Sequence, residues 1–270
     1  MQRYTLPYRQ SVHLCTLMNN NLVPKHSDKM HTQNNLLDHL QQKDLDLISR
    51  HLKRFQARSN EILYDHGQNV GTVYFPCGST LVSFLISTED GGAVETMLIG
   101  REGAVGGIVS QGKLPAYSKI MVQFGGDFLT LPISVLDEAK SASRSLDNLF
   151  ARYADCTMAQ IFQSTACNAA HGIEQRAAKW ILAAVDRTGE NEVPLTQERL
   201  SAMLGVGRSY ISRVIGRFKQ EKILEVKRGY LVILNRDRLV QKSCTCNDAV
   251  RAHFESVLKG VYPDENETIA

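Results

Sequence analysis

LTQERLSAMLGVGRSYISRVIGRFKQEKILEVKRGYLVIL, Leu195 to Leu234, carries two helical patterns split by glycines and then a hairpin pattern. Thr196 is an N-cap candidate, because its hydroxyl can accept from an orphan amide of a helix that turns Leu200, Met203 and Leu204 inward. That helix stops at Leu204-Gly205-Val206-Gly207, where glycine tolerates the positive φ of a sharp turn. A second helix follows with Ile211, Val214, Ile215 and Phe218 at i, i+3, i+4 and i+7, one apolar stripe for packing on its partner. Its opposite face presents Ser209, Ser212, Arg213, Gly216, Arg217 and Gln220. Small hydroxyls permit close approach, and arginines suit phosphate oxygens or a guanine edge, so this face fits a DNA major groove. An ordinary pair of surface helices is the bland alternative, but turn, stripe and hairpin occur in the order of a winged helix-turn-helix.

The hairpin reads from Ile223–Val226 and Tyr230–Leu234, two β-branched runs around Lys227-Arg228-Gly229. Its basic tip suits a phosphate backbone beside a groove. From Arg208 to Arg228 seven Lys or Arg face only Glu221 and Glu225, a local +5 in a chain whose net charge is +3. Charge concentrated in this way is the footprint expected of a DNA contact made by Thr196, Arg208, Ser209, Tyr210, Ser212, Arg213, Arg217, Lys227 and Arg228.

At 270 residues the chain has room for two cores, and 43% hydrophobic with 22% charged residues excludes a disordered or fibrous class. No apolar run approaches the roughly 18 residues of a membrane span, and the N-terminus lacks an apolar secretion core, so a cytoplasmic location and no membrane partner are expected. Residues 1–34 are polar and aperiodic and read as a flexible arm, with Met18 and Met30 as alternative starts. Asn35 to Phe55 reads as a short helical entry. Then the texture changes. Short β-rich runs at Val73–Phe75, Thr80–Ile86, Ala93–Ile99, Lys119–Phe124 and Asp127–Leu131, divided by glycine turns, predict an antiparallel barrel or jelly roll closed by Pro132.

Beyond the barrel, Leu146, Leu149, Phe150, Tyr153, Thr157, Ile161 and Thr165 form a 3–4 spaced seam over six turns. A helix this long on so small a barrel predicts a parallel dimer seam through Leu146, Leu149, Phe150, Tyr153, Thr157 and Ile161, with packing on its own barrel as the alternative. Asn168–Gly172 reads as a hinge, and Glu174–Val185 as a helix burying Ala177, Trp180, Ile181 and Ala184. The expected organisation is thus α+β: arm 1–34, barrel 35–142, dimerisation helix and hinge 143–171, winged helix-turn-helix 172–243, and a tail 244–270.

This order of parts resembles the Crp/Fnr family of bacterial transcription regulators over about Leu36 to Leu239. The resemblance is carried by Glu174–Trp180, Leu195–Glu198, Leu204-Gly205-Val206 and Ile211–Phe218. It implies a homodimer on an inverted-repeat operator, double-stranded DNA and RNA polymerase as partners, and Arg213 reading guanine. Ser209 stands where well-known members carry a glutamate that reads cytosine. The resemblance also implies an effector pocket at Arg101, Glu102, Gly106, Gly107, Tyr117, Ser118 and Lys119. There Gly107 replaces the expected ribose-binding glutamate and Tyr117 the phosphate-binding arginine, which argues against cyclic AMP and leaves the effector unknown.

Cysteines at 15, 77, 156, 167, 244 and 246 form no disulfide framework. Cys15 and Cys77 are too few for the clustered iron–sulfur ligands of the family's oxygen-sensing branch. Nothing marks His66 or Cys77 as haem ligands. Cys244-Thr245-Cys246 with a distant His253 lacks a fourth zinc ligand, so free thiols and no metal are expected. Phosphate loops, nucleophile elbows and HExxH are absent from the sequence, which argues against an enzyme. The competing class is a sensor or adaptor module that works through protein contacts without binding DNA.

Overall fold

The computed structural model describes residues 32–89, 91–109 and 114–262. The expected arm lies outside these residues except at its end, where Thr32 and Asn34 are buried rather than free. Asn34 caps α1 (Asn35–Asp38): its Oδ1 accepts from the Leu37 amide at 3.0 Å, and its Nδ2 donates to the carbonyls of Pro76 at 2.8 Å and Gly103 at 2.9 Å. A buried amide satisfied on both ends fixes where the chain enters the core. α2 (Gln42–Ser49) buries Leu45 and Ile48, and the helical entry ends there. Lys53–Ala57 is strand β1, not helix.

The barrel continues through β2 (Ile62–Tyr64), β3 (Asn69–Val70), β4 (Thr72–Pro76), β5 (Leu81–Ser87), β6 (Ala93–Ile99), β7 (Leu114–Pro115), β8 (Lys119–Phe124) and β9 (Gly126–Pro132). Antiparallel sheets run β1-β9-β4, β2-β8-β5-β6 and β3-β7. Alternation places the core as the sequence pattern predicts: Val73 and Phe75 on β4 and Phe128 on β9 are fully buried. Phe55, Tyr64, Tyr74 and Phe128 meet inside with ring centroids 5.7–6.0 Å apart, three of the four pairs edge-on.

α3 (Ile133–Ala142) leads into α4 (Arg144–Ala170), α5 (Ile173–Thr188), β10 (Glu192–Val193), α6 (Gln197–Leu204), α7 (Arg208–Gln220), β11 (Leu224–Lys227), β12 (Tyr230–Ile233), α8 (Arg236–Lys242) and α9 (Cys246–Lys259). β10 pairs with β12 to make the wing a three-stranded sheet. Gly229 turns the hairpin at φ +83°.

The first half of α4 corrects the predicted dimer seam. Leu146, Leu149, Phe150 and Tyr153 are wholly inaccessible within one chain. Phe150 packs on Phe75 of β4 at 6.4 Å between centroids. Tyr153 Oη accepts from the Ala104 amide at 3.0 Å and donates to the Ala104 carbonyl at 3.1 Å. Gly103 makes room for that ring, since a Cβ there would collide with Oη. These four residues face the barrel because the barrel leaves an apolar flank that this helix covers. Thr157 is half-buried, and its hydroxyl donates to the Ala154 carbonyl at 2.7 Å. Apolar side chains emerge further along, at Met158, Ile161 and Phe162.

The expected tail is also not a tail. α9 lies along α4 and places Phe254, Leu258 and Val261 in the core shared with Leu36, Phe75 and Phe150. Tyr262 Oη donates to Asp44 Oδ2 at 2.7 Å, beside the hydroxyls of Ser143 (2.5 Å) and Ser145 (2.6 Å). Burial alone would raise the Asp44 pKa; the three hydroxyl donors more than offset it and hold the carboxyl below its ordinary value.

Candidate nucleic-acid interface

α6 and α7 form the paired helices that the glycine break predicts. Thr196 Oγ1 accepts from the Arg199 amide at 3.2 Å and caps α6, and Gly205 ends it at φ +65°. Ile211, Val214, Ile215 and Phe218 are buried against α6 and the wing. Arg208, Ser209, Tyr210, Arg213 and Arg217 remain exposed on the opposite face. The Arg213 guanidinium lies 5.2 Å over the Tyr210 ring, which restricts its rotamers before any contact with a groove. Ser212 is only half-exposed, and its hydroxyl donates to Gln197 Oε1 at 2.7 Å, so it ties α7 to α6. Gln197 carried no signal in the sequence that would have marked this role.

Two predicted phosphate contacts hold acidic partners. Arg217 bridges to Glu174 and Lys227 to Glu192, each at 2.9 Å. Exposed pairs of this kind are screened by solvent and contribute little, so a phosphate can replace the carboxylate at little cost. Arg228 at the wing tip is exposed.

The helix-turn-helix rests on the barrel through a polar junction that sequence inspection did not identify. Trp180 of α5 stacks edge-on against Phe124 and donates from Nε1 to Glu95 Oε1 at 2.5 Å. Ser83 Oγ donates to Glu95 Oε2 at 2.5 Å, and Arg199 donates to the Gln123 side chain and to the Gln123 carbonyl. Desolvation at the junction pushes the Glu95 pKa up to about 7, although the Ser83 and Trp180 donors and the nearby Arg187 and Lys179 charges pull the other way.

Beside this junction, β6, α4, α5 and α9 enclose a cavity of about 360 Å³. Arg101 and Glu102 line it, and Glu102 is bridged by Arg187 at 2.7 Å. The other expected pocket residues do not. Gly106 and Gly107 sit against Thr72 and Ile133, Tyr117 is 81% exposed with its ring edge on His66, and Lys119 pairs with Asp65 at 3.5 Å. Ser118 neighbours Tyr117 on the same surface loop. Among the described residues, Gln160 Oε1 and Arg176 Nε, both on the cavity wall, are buried without a hydrogen-bond partner.

His253 is exposed on α9 and does not join Cys244 and Cys246. Cys167 and His171 from the end of α4 do.

Residues 175–242 match the Crp-like helix-turn-helix domain family. That segment is a Crp-like helix-turn-helix domain. The fold is similar to that of FixK2 from Bradyrhizobium japonicum, at 15% identity and a TM-score of 0.60, covering 72% of this chain and 98% of that one. It is also similar to a Crp-family transcriptional regulator from Thermus thermophilus, at 17% identity and a TM-score of 0.59, covering 70% and 95%. The c-di-GMP-responsive regulator CLP from Xanthomonas campestris aligns at 13% identity and a TM-score of 0.57, covering 72% and 99%. Among curated proteins, no sequence matches the chain. At these identities the likeness establishes the fold: a barrel, a long helix and a winged helix-turn-helix in that order. No helix among the described residues is long and apolar enough to cross a membrane.

Proposed function

We propose that this chain is a cytoplasmic, sequence-specific transcription regulator that binds an inverted-repeat operator as a homodimer, with a sensor barrel that no longer recognises cyclic nucleotides. The outward face of α7 carries the reading: Arg208, Ser209, Arg213 and Arg217 are exposed along one helix, and Arg228 is exposed at the wing tip. The dimer seam is supplied by Met158, Ile161 and Phe162, the apolar residues that the second half of α4 leaves uncovered. Paired through them, two chains present two α7 helices for half-sites about one helical turn apart. RNA polymerase is the partner such a DNA-bound dimer would meet.

Two features support the loss of cyclic-nucleotide recognition. A side chain built at Gly107 would run into Ile133 Cδ1, 2.8 Å from its Cβ, and Tyr117 offers no cation for a phosphate. An effector is better placed in the cavity beside Glu95, whose lining includes Arg101, Arg176 and Arg187 together with Gln160, the carbonyl oxygen of which has no partner.

Mobility shift of the full chain on its own promoter tests the reading. Arg213→Ala should cost roughly 1–3 kcal/mol on the specific site and spare random DNA. Lys227→Ala should weaken all sequences alike and flatten the salt dependence. No shift of the promoter by the folded protein would favour the adaptor alternative, and equal losses for Arg213→Ala on both DNAs would exclude base reading by Arg213. Calorimetry with cyclic AMP should show nothing tighter than about 1 mM.

A further inference from the structure

Cys167 and His171 lie one turn apart at the end of α4, where the His171 amide donates to the Cys167 carbonyl at 3.0 Å. The i, i+4 spacing points both side chains to the same side. Cys244 and Cys246, which flank the start of α9, reach that side from 73 residues further along the chain. The four ligand atoms all lie within 4.8 Å of one another. Cys167 Sγ and Cys244 Sγ are 3.7 Å apart, and Cys246 Sγ is 3.6 Å from His171 Nδ1. A tetrahedral ion with metal–sulfur bonds of about 2.3 Å and metal–nitrogen bonds of about 2.0 Å has sulfur–sulfur edges of about 3.8 Å and sulfur–nitrogen edges of about 3.5 Å. Two edges of the tetrahedron therefore already have their bonded lengths.

We propose that Cys167, His171, Cys244 and Cys246 form a Cys₃His zinc site that clasps the base of the DNA-binding domain. Binding releases three thiol protons, one from each cysteine. Three thiolates, a neutral imidazole and a divalent ion then leave one net negative charge. That charge is met locally. Gln163 Nε2 donates to Cys246 Sγ at 3.2 Å, and Cys246 opens the 14-residue helix α9, whose N-terminal end favours an anion. Cys167 is fully buried and Cys246 nearly so, while half-buried Cys244 and His171 leave an approach for the ion. Four closed ligands favour a structural site over a catalytic one, and the set is rich in soft sulfur, which selects zinc over calcium or magnesium. An iron–sulfur cluster needs its cysteines spread around several irons and does not fit ligands gathered within one coordination sphere.

The position gives the site its role. His171 ends α4, just before α5 leads into the helix-turn-helix, and Cys244 begins the segment that follows α8. An ion there ties entry to exit and fixes α9 to α4. Both connections set how the reading head is held against the barrel.

Metal analysis of the full, untagged chain purified under reducing conditions should give one zinc per chain. Cobalt replacing it should give the intense visible absorption of a tetrahedral thiolate site. Three thiols should become reactive toward a thiol reagent only after chelation. Cys167→Ser and Cys244→Ser should each lose the metal, whereas Cys156→Ser and His253→Ala should keep it. Because the first two variants can also fail to fold, the cobalt spectrum and thiol count of the unaltered protein decide the matter. A chain without metal, a Cys167–Cys244 disulfide in an unreduced digest, an octahedral cobalt spectrum or a bound iron–sulfur cluster would each overturn the proposal.

Discussion

The two halves of α4 share one helix and one periodicity, yet they have opposite fates. Up to Tyr153 the apolar seam is covered within the chain, by Phe75, Ala104 and Phe254. Beyond Thr157 the helix touches the barrel through Gln160, whose Nε2 donates to the Leu98 carbonyl at 3.0 Å, and turns Met158, Ile161 and Phe162 outward. A 3–4 spacing reveals that a face is apolar but not what covers it. Coverage depends on the barrel flank, whose shape is assembled from strands distant in sequence.

Charge insertion separates the halves most sharply. Phe150→Asp should prevent folding, because an unpaired carboxylate in a sealed core costs several kcal/mol, a large part of a domain's stability. Phe162→Asp should leave the fold intact and give monomers in sedimentation, with operator binding lost along with the second half-site. A folded, monomeric Phe150→Asp protein would return the seam to the first half.

A gentler probe is pH. The first half is apolar, but the second lies beside Glu95, whose carboxyl titrates near 7 in the folded chain and ordinarily at 4.5. Between those values the folded chain holds more protons than the unfolded one, so this contribution is fully present below about pH 4.5 and falls as pH rises through about 7. The full loss is about 3 kcal/mol, taking 1.36 kcal/mol per pKa unit. Urea midpoints should therefore fall from pH 5.5 to pH 8 and stay flatter in Glu95→Gln; parallel slopes for the two proteins would remove Glu95 from the junction. The smallest effect belongs to Tyr153→Phe, which strips the Ala104 amide and carbonyl of their partner and should cost about 1–3 kcal/mol with the dimer unchanged. A shift in dimer affinity instead would place Tyr153 at the seam.

Legibility followed sequence distance. The helix-turn-helix was readable almost to the residue, since Thr196, Gly205 and the Ile211–Phe218 stripe act on neighbours within a few positions. The barrel was readable where strands were long and alternating. β1, β2, β3 and β7 escaped because Lys53–Ala57 is mostly polar and the other three are very short. The polar residues at the junction could not be recognised at all: Glu95 looks like any strand carboxylate until Trp180, 85 residues away, donates to it. Cys167 and His171 had a usable clue in their helical spacing, but only the fold shows that Cys244 and Cys246 meet them.

The hydroxyl of Tyr262 on the carboxylate of Asp44 spans 218 residues of chain. Together with Phe254, Leu258 and Val261 it closes a core begun by Leu36 and Leu37. During synthesis the barrel must therefore leave the ribosome with one wall missing. The helix-turn-helix, built from contacts close in sequence, can take shape before that wall arrives. The last segment translated among these residues is thus the one that completes the first, and a nascent chain stalled before residue 254 would present a formed DNA-reading unit on an unfinished support.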